Sequence, residues 1–222
     1  MSKENTSIQE QIYQTLRNEI LTFLLPPGTS MSTQDTADRL NVSRTPVREA
    51  FIRLEREGLV QMYPKRETLV SPISLDRVSQ EHFLRQSLEL SVIPLFPWRN
   101  APDCLQQMNQ LILEQMTAGV NKDQKELLRL DDQFHSLLFT TTGMLLPWKL
   151  LTENSTHYQR IRLLSLWQND RAEQVIMEHQ EFLRALEIGR LKTAAEILEH
   201  HITGLNDEQA ALQQLYPAYF CN

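Results

Sequence analysis

One group of residues has the types and spacing of metal ligands. Asp131 and His135 lie four residues apart in a stretch with helical periodicity, so their side chains share one face of a helix. His179 follows, and after it the adjacent pair His200 and His201. One carboxylate with two or three imidazoles suits Zn, Ni, Mn or Fe. Because histidines on helices are also common at the edge of a core or at the surface, the residues alone leave both interpretations open.

A second group of residues could bind nucleic acid. Arg44 and Arg48 are four residues apart and share a helix face, with Thr45 beside them near the start of the helix. In the major groove an arginine can pair with guanine through two hydrogen bonds, and threonine and helix N-terminal amides bind phosphate. Lys65 and Arg66, at the tip of a predicted hairpin, could reach a neighbouring groove or backbone. Taken singly, each arginine could equally be a solvated surface residue.

The elements that must position the arginines are predicted from periodicity and turn residues. Apolar residues recur with helical spacing over residues 8–23, and a short second helix covers 33–40. A third helix follows, which Ser43 or Thr45 could cap and which ends at Gly58. Residues 59–70 have the pattern of a small β-hairpin. This order of elements predicts a winged helix-turn-helix.

The remaining chain shows only helical periodicity. Breaks at proline, glycine and asparagine residues divide it into six or seven helices, which predicts an antiparallel helical bundle. The fold class is therefore mostly α. We expect three parts: a winged-helix domain over 1–72, a linker over 73–78 and an all-helical domain over 79–222.

Composition and charge exclude several classes of protein. The 222 residues are 41% hydrophobic and 23% charged, which is ordinary for a globular protein. No apolar stretch is long enough to span a membrane, the first thirty residues lack a secretory signal, and the two cysteines are too few for a disulfide framework, so we expect a cytoplasmic protein with reduced thiols. The net charge is −6, but residues 39–66 contain seven basic and three acidic residues, which gives this stretch +4. This asymmetry favours a local phosphate-binding surface.

Two segments of the N-terminal part resemble the signature of the GntR family. They are LNVSRTPVREA at residues 40–50 and LEREGLV at 54–60, and LPPG at 25–28 matches the loop after the first helix. The resemblance implies that Arg44, Thr45 and Arg48 contact DNA and that the hairpin is the wing. Two departures from the family stand out, because Gln34 replaces an arginine that often contacts DNA and Glu67 lies near the wing tip. The DNA-binding residues that we predict are Gln34, Ser43, Arg44, Thr45, Arg48, Lys65 and Arg66.

The C-terminal part resembles the FCD domain of the fatty-acid-regulator branch of this family, over about residues 78–212. The resemblance implies a divalent metal ion held by Asp131, His135, His179 and His201, with His201 matching better than His200. Four protein ligands leave positions open on an octahedral ion, which a small carboxylate metabolite could complete. Arg85 matches an arginine in the domain's first helix, and with Arg160 and Arg162 it forms the predicted effector-binding set.

These features together predict a transcription regulator rather than an enzyme. We expect a homodimer that binds a near-palindromic operator in double-stranded DNA, acts as a repressor and responds to a carboxylate effector at the metal site, with no membrane partner. Two alternatives stay open. One is a metal-dependent hydrolase or isomerase on the helical Asp/His site, although no separate acid or base is evident beside the ligands. The other is a regulator in which the metal is purely structural.

Overall fold

The computed structural model describes residues 7–63, 67–168 and 170–221, with only the backbone of residue 207. Contacts within the chain divide it into two units. The first unit comprises the chain up to Arg77 together with the residues from Leu215 onward, and the second unit comprises Val78–Gln214. The sequence analysis assigned the residues from Leu215 onward to the helical domain, whereas the contacts group them with the first unit.

Three helices and a small sheet form the first unit. Its helices are α1 (Ile8–Leu21), α2 (Thr33–Leu40) and α3 (Arg44–Arg56), and its strands are β1 (Ser30–Met31), β2 (Val60–Met62) and β3 (Thr68–Val70). The strands pair antiparallel in the order β1-β3-β2, with Val60 opposite Val70. This is the predicted winged helix-turn-helix with one addition, because β1 was not foreseen. Two residues are too few to show the alternation that identifies a strand.

The turn between α2 and α3 depends on local backbone chemistry. Ser32 caps α2 by accepting a hydrogen bond from the Asp35 N–H at 3.0 Å, and Asn41 ends the helix in the left-handed region at φ 53°. Gly58, at φ 75°, reverses the chain after α3. Both turns let the helices share one apolar core, whose fully buried members include Leu16, Ile20, Val47, Phe51, Leu54 and Leu59.

The C-terminal residues attach to the segment that follows the sheet. Ile73 forms a parallel β-bridge with Phe220: the Ile73 N–H donates to the Tyr219 carbonyl at 2.7 Å, and the Cys221 N–H donates to the Ile73 carbonyl at 3.1 Å. The Tyr219 ring stacks on Phe23 with centroids 5.2 Å apart. These contacts explain why the end of the described chain groups with the first unit.

Helices alone make up the second unit in the part of the chain that the structure describes. They are α4 (Leu75–Val92), α5 (Pro102–Val120), α6 (Gln124–Thr141), α7 (Leu145–Glu153), α8 (Thr156–Leu166), α9 (Arg171–Glu187) and α10 (Leu191–Leu215), which agrees with the six or seven predicted. α5 packs against both α6 and α9, and the core includes the buried rings of Phe134, Phe139 and Phe182. Among the described helices, none has both the length and the apolar character needed to cross a membrane.

Replacing Gly189 with alanine should destabilise the second unit more than the same change at Gly143. Both glycines have positive φ, at +70° and +75°, where alanine costs about 1–2 kcal/mol. A Cβ on Gly189 would also lie 2.5 Å from Cε2 of Trp98, whereas one on Gly143 would meet nothing within 4 Å. We expect Gly189→Ala to lower the free energy of unfolding by ~1–3 kcal/mol more than Gly143→Ala in urea denaturation. Equal losses would show that the Trp98 ring moves aside at no cost.

Candidate functional site

Four predicted metal ligands meet in the interior of the second unit. Asp131 and His135 come from α6, His179 from α9 and His201 from α10, and one ligand atom from each lies within 4.8 Å of the others. His135 and His179 are almost completely buried, and Asp131 is 4% exposed. Three helices therefore bring to one point the residues that the sequence analysis grouped.

Each imidazole is held through its Nδ1 atom by an acceptor. His135 Nδ1 lies 2.5 Å from Glu89 Oε2, and His201 Nδ1 lies 2.7 Å from Glu178 Oε2. His179 Nδ1 lies 2.8 Å from Gln115 Oε1. Because each contact is made by an oxygen atom, which can only accept, the proton of each ring in its neutral form is on Nδ1, and the lone pair is on Nε2. Metal-binding histidines are typically oriented by this kind of contact.

The Nε2 atoms point towards Asp131. Those of His179, His135 and His201 lie 3.5, 3.7 and 3.9 Å from the nearest Asp131 oxygen. Within the described residues, the buried Nε2 atoms of His135 and His179 have no hydrogen-bond partner. A buried polar atom without a partner is costly. A cation between the lone pairs and the carboxylate would satisfy all four groups, so these residues fit a divalent metal.

Charge places these groups in the protonation state that a metal requires. Burial favours the neutral acid, but Arg162, His135, His179 and Arg85 outweigh it and hold the pKa of Asp131 well below its ordinary value. Burial, and then His201, lowers the pKa of His179 well below its usual range. Asp131 is therefore a carboxylate and His179 a neutral imidazole, which are the metal-binding forms of these side chains.

A pocket adjoins this cluster. Its polar lining includes Asp131 and His201 with three arginines, a tyrosine and a serine, and its apolar lining comes from α8, α9 and α10. The lining residues are Arg85, Asp131, Tyr158, Arg162, Ser165, Leu166, Arg171, Val175, His201, Ile202 and Leu205. The guanidinium groups beside the metal ligands make the pocket suitable for an anion.

Two of the three arginines predicted to bind the effector line the pocket. Arg85 and Arg162 do, and both pair with Asp131, with Arg85 Nη2 at 3.6 Å from Asp131 Oδ2. Arg160 does not belong to the lining: it is completely buried, and its Nη2 lies 3.1 Å from His157 Nδ1. Residues two apart on a helix point about 200° apart, so Arg160 and Arg162 face different sides of α8.

Several functional candidates were missed by the sequence analysis. Tyr158, Ser165 and Arg171 line the pocket, and Gln115 and Glu178 orient two of the histidines. Gln115 is on α5, and nothing in the sequence pairs it with His179 on α9. Arg171 begins a helix after a loop, where a surface role is the ordinary expectation. Only the packing of the helices reveals these contacts.

The exposed edge of α3 forms the predicted DNA-binding surface. Val47, Phe51 and Leu54 are buried, while Arg44, Thr45 and Arg48 are exposed. Within the described residues, neither Arg44 nor Arg48 forms an ion pair, so both guanidinium groups are available.

Other arginines of the first unit are engaged by internal acids. Arg53 pairs with Glu10 at 2.6 Å, Arg39 with Glu19 at 2.7 Å and Arg17 with Glu57 at 2.8 Å. These three arginines therefore form ion pairs within the first unit, whereas Arg44 and Arg48 face outward.

The remaining residues predicted to bind DNA differ in their availability. Ser43 occupies the N-cap of α3, but its hydroxyl makes no capping hydrogen bond. The Gln34 amide donates to Asp38 at 2.7 Å, so its N–H groups are engaged within α2. Glu67 accepts a hydrogen bond from Ser30 at 2.5 Å, which turns the carboxylate onto the sheet. Lys65 and Arg66 lie outside the described residues.

The fold and these two sites define a regulator with a DNA-binding module and a helical domain for a small ligand. The sequence matches the family model described as bacterial regulatory proteins, gntR family, over residues 8–70, and the FCD domain over residues 77–204. The chain therefore belongs to the GntR family and carries an FCD domain. The first match implies DNA binding, and the second implies binding of a small-molecule effector.

Known relatives and solved structures agree with this assignment. The chain is 30% identical to the HTH-type transcriptional repressor RspR of Escherichia coli K12, over 93% of this chain and 91% of RspR. The structure of Escherichia coli McbR/YncC superposes with a TM-score of 0.77 at 21% identity, covering 95% of this chain and 99% of that one. A GntR regulator from Rhodococcus sp. RHA1 gives a TM-score of 0.74 at 22% identity, covering 94% and 98%. RspR is a transcriptional repressor and the matched family consists of regulatory proteins, so the hydrolase or isomerase alternative is set aside.

Removing one imidazole should abolish tight metal binding, whereas removing its neighbour should not. His201→Ala deletes one of the four converging groups, and we expect Zn²⁺ affinity to fall by about 100-fold or more, since even outer contacts contribute about 10- to 100-fold. His200 is exposed on the same helix and lies outside the cluster, so His200→Ala is the matched control. Calorimetric titration of chelator-treated protein measures both. Equal affinities in the two variants would contradict the ligand assignment.

Proposed function

We propose that this protein is a transcriptional repressor whose operator affinity is modulated by a small carboxylate effector at a divalent-metal site. One observation carries the metal site: three buried imidazoles, each oriented by an acceptor on Nδ1, direct their Nε2 atoms to one carboxylate. A core without a ligand role would not gain from placing unpartnered polar atoms together.

The DNA-reading surface is the N-terminal edge of α3. Arg48 and Arg44 would reach base edges in the major groove, and Thr45 and Ser43 would contact phosphate together with the N-terminal amides of the helix. Gln34 would contribute only by giving up its hydrogen bonds to Asp38. Lys65 and Arg66 remain proposed wing contacts because of their place in the sequence.

We propose a homodimer bound to a near-palindromic operator. One recognition helix reads only a few base pairs, and two copies related by a two-fold axis would read two half-sites of the same sequence. RspR, which matches over nearly the whole chain, is named a repressor, and this supports repression as the sign of regulation.

At the effector site, the metal would supply a fixed positive charge and a coordination position for an oxygen ligand. Asp131, His135, His179 and His201 would hold it, and we leave zinc, nickel, manganese and iron as candidates, since imidazole and carboxylate suit all four. Arg85 and Arg162 would bind the effector's other oxygens through charge-assisted hydrogen bonds. Arg160 would support α8 from the interior rather than touch the effector.

Effector and operator must influence each other equally. If a bound carboxylate lowers operator affinity by some factor, bound operator lowers carboxylate affinity by the same factor. A purely structural metal predicts something different, because its removal would unfold the second unit without an effector response. Because the four proposed ligands come from three helices, a structural metal would hold those helices together, and its removal should lower the stability of the second unit.

A DNA-binding selection tests the proposal as a whole. Purified protein would select operators from random duplexes with and without Zn²⁺ and a pool of organic acids. We expect enrichment of a near-palindrome and weaker binding when metal and acids are both present. Enrichment that is the same under all conditions, together with melting of the metal-free protein, would support the structural-metal alternative instead.

Arg48→Ala should weaken operator binding. Loss of a bidentate contact to guanine costs about 1–3 kcal/mol and relaxes sequence preference at that base pair. Arg129→Ala is the control, because it removes the same charge from an exposed site on α6, where the arginine pairs with Glu126. Fluorescence anisotropy with the selected operator and with single-base variants measures both effects. Equal affinity of wild type and Arg48→Ala would remove Arg48 from the reading surface.

A further inference from the structure

Every arginine that lines the pocket is already paired with an acid of the same chain. Arg85 Nε lies 2.7 Å from Glu89, and Arg162 Nη1 lies 2.7 Å from Asp132 while its Nη2 contacts Asp131. At the other side, Arg171 Nε lies 3.2 Å from Glu208 and its Nη1 lies 3.7 Å from Glu178. An anion that binds these guanidinium groups therefore competes with an internal carboxylate.

Three of these five acids are committed to the metal cluster. Asp131 is a ligand, Glu89 holds His135, and Glu178 holds His201. Their side chains are at most 10% exposed. Displacing any of them would release a histidine or remove a ligand, so they are fixed parts of the site.

The other two acids serve the arginines. Asp132 contacts Arg162 and lies 3.8 Å from Arg85, and its side chain is 29% exposed. Glu208 contacts Arg171 and accepts a hydrogen bond from Ser165, and it is 28% exposed. Neither touches a histidine of the cluster in the described part of the chain. Because they are accessible and hold no metal ligand, these two carboxylates are the ones that can move away.

We propose that Asp132 and Glu208 occupy the positions that two carboxylate groups of the effector take when it binds, and that the effector is therefore a dicarboxylate. This inference rests on the proposed anion-binding function of the pocket. One carboxylate of the effector takes the place of Asp132 at Arg162 and Arg85, and the other takes the place of Glu208 at Arg171 and Ser165. The apolar lining from Val175, Ile202 and Leu205 contacts the hydrocarbon chain between them.

The internal acids make the pocket selective against monocarboxylates. A monocarboxylate replaces one acid and leaves the other arginine paired as before, so it gains a single new ion pair for the one it breaks. A dicarboxylate makes both exchanges with one molecule, and its second group binds at high effective concentration. Selectivity here results from the competing groups as much as from the attractive ones.

Titration of acetate and succinate into Zn²⁺-loaded protein tests this inference. We expect the wild type to bind succinate at least about tenfold more tightly than acetate, because the second carboxylate of succinate adds hydrogen bonds to a charged group. Asp132→Asn and Glu208→Gln keep the shape of each side chain but remove its charge. Each should bind succinate about tenfold more tightly than wild type, and acetate should gain most in Asp132→Asn, whose arginines adjoin the metal ligands.

A matched control and a metal titration separate the possible failures. Glu126→Gln neutralises an acid on α6 that pairs with Arg129 outside the pocket, and it should leave succinate affinity unchanged. Absence of Zn²⁺ binding by the wild type would overturn the proposed metal site and this inference with it. This inference alone would be overturned by normal Zn²⁺ binding with succinate bound no more tightly than acetate. It would also be overturned if Zn²⁺ binding were normal and both Asp132→Asn and Glu208→Gln had wild-type succinate affinity.

Discussion

The proposed metal site of the second unit depends on three hydrogen bonds that orient its histidine rings. The Nδ1–H groups of His135, His179 and His201 are donated to Glu89, Gln115 and Glu178, and these acceptors come from α4, α5 and α9. Only with these protons in place do the Nε2 lone pairs face Asp131. The packing of α4, α5, α6, α9 and α10 is therefore linked to the chemistry of one small cluster. A shift of any of these helices would misdirect an imidazole.

The arginines of the proposed DNA-reading surface and those of the pocket lie in opposite environments. On α3, Arg44 and Arg48 are exposed and free of ion pairs among the described residues, which suits a polyanion that arrives as a whole surface. In the pocket, Arg85, Arg162 and Arg171 are compensated by acids and are mostly buried. Burying an uncompensated charge is costly. The buried arginines of the pocket are therefore paired with internal carboxylates, and a small anion that binds there competes with those carboxylates.

The sequence predicted what depends on local spacing and missed what depends on packing. The winged-helix order follows from caps, turns and periodicity, and the shared face of Asp131 and His135 follows from their spacing. The choice of His201 over His200 came from the family resemblance, because adjacent helical residues point about 100° apart and the buried side of α10 is visible only in the structure. For the same reason Arg160 was grouped with Arg162, although it points into the core. No local sequence pattern indicated the contact between Gln115 and His179 or the two-residue strand β1.

The burial of the ligand cluster also affects the rate at which a cation would exchange. All four ligands are buried, and they come from three helices. Asp131 and His201 line the pocket, so a cation would reach the cluster through the pocket, but it would leave only after all four ligands release it. Exchange with a chelator should be slow compared with exchange of a small organic acid at the pocket mouth. The proposed metal would thus remain bound through many cycles of effector binding and release.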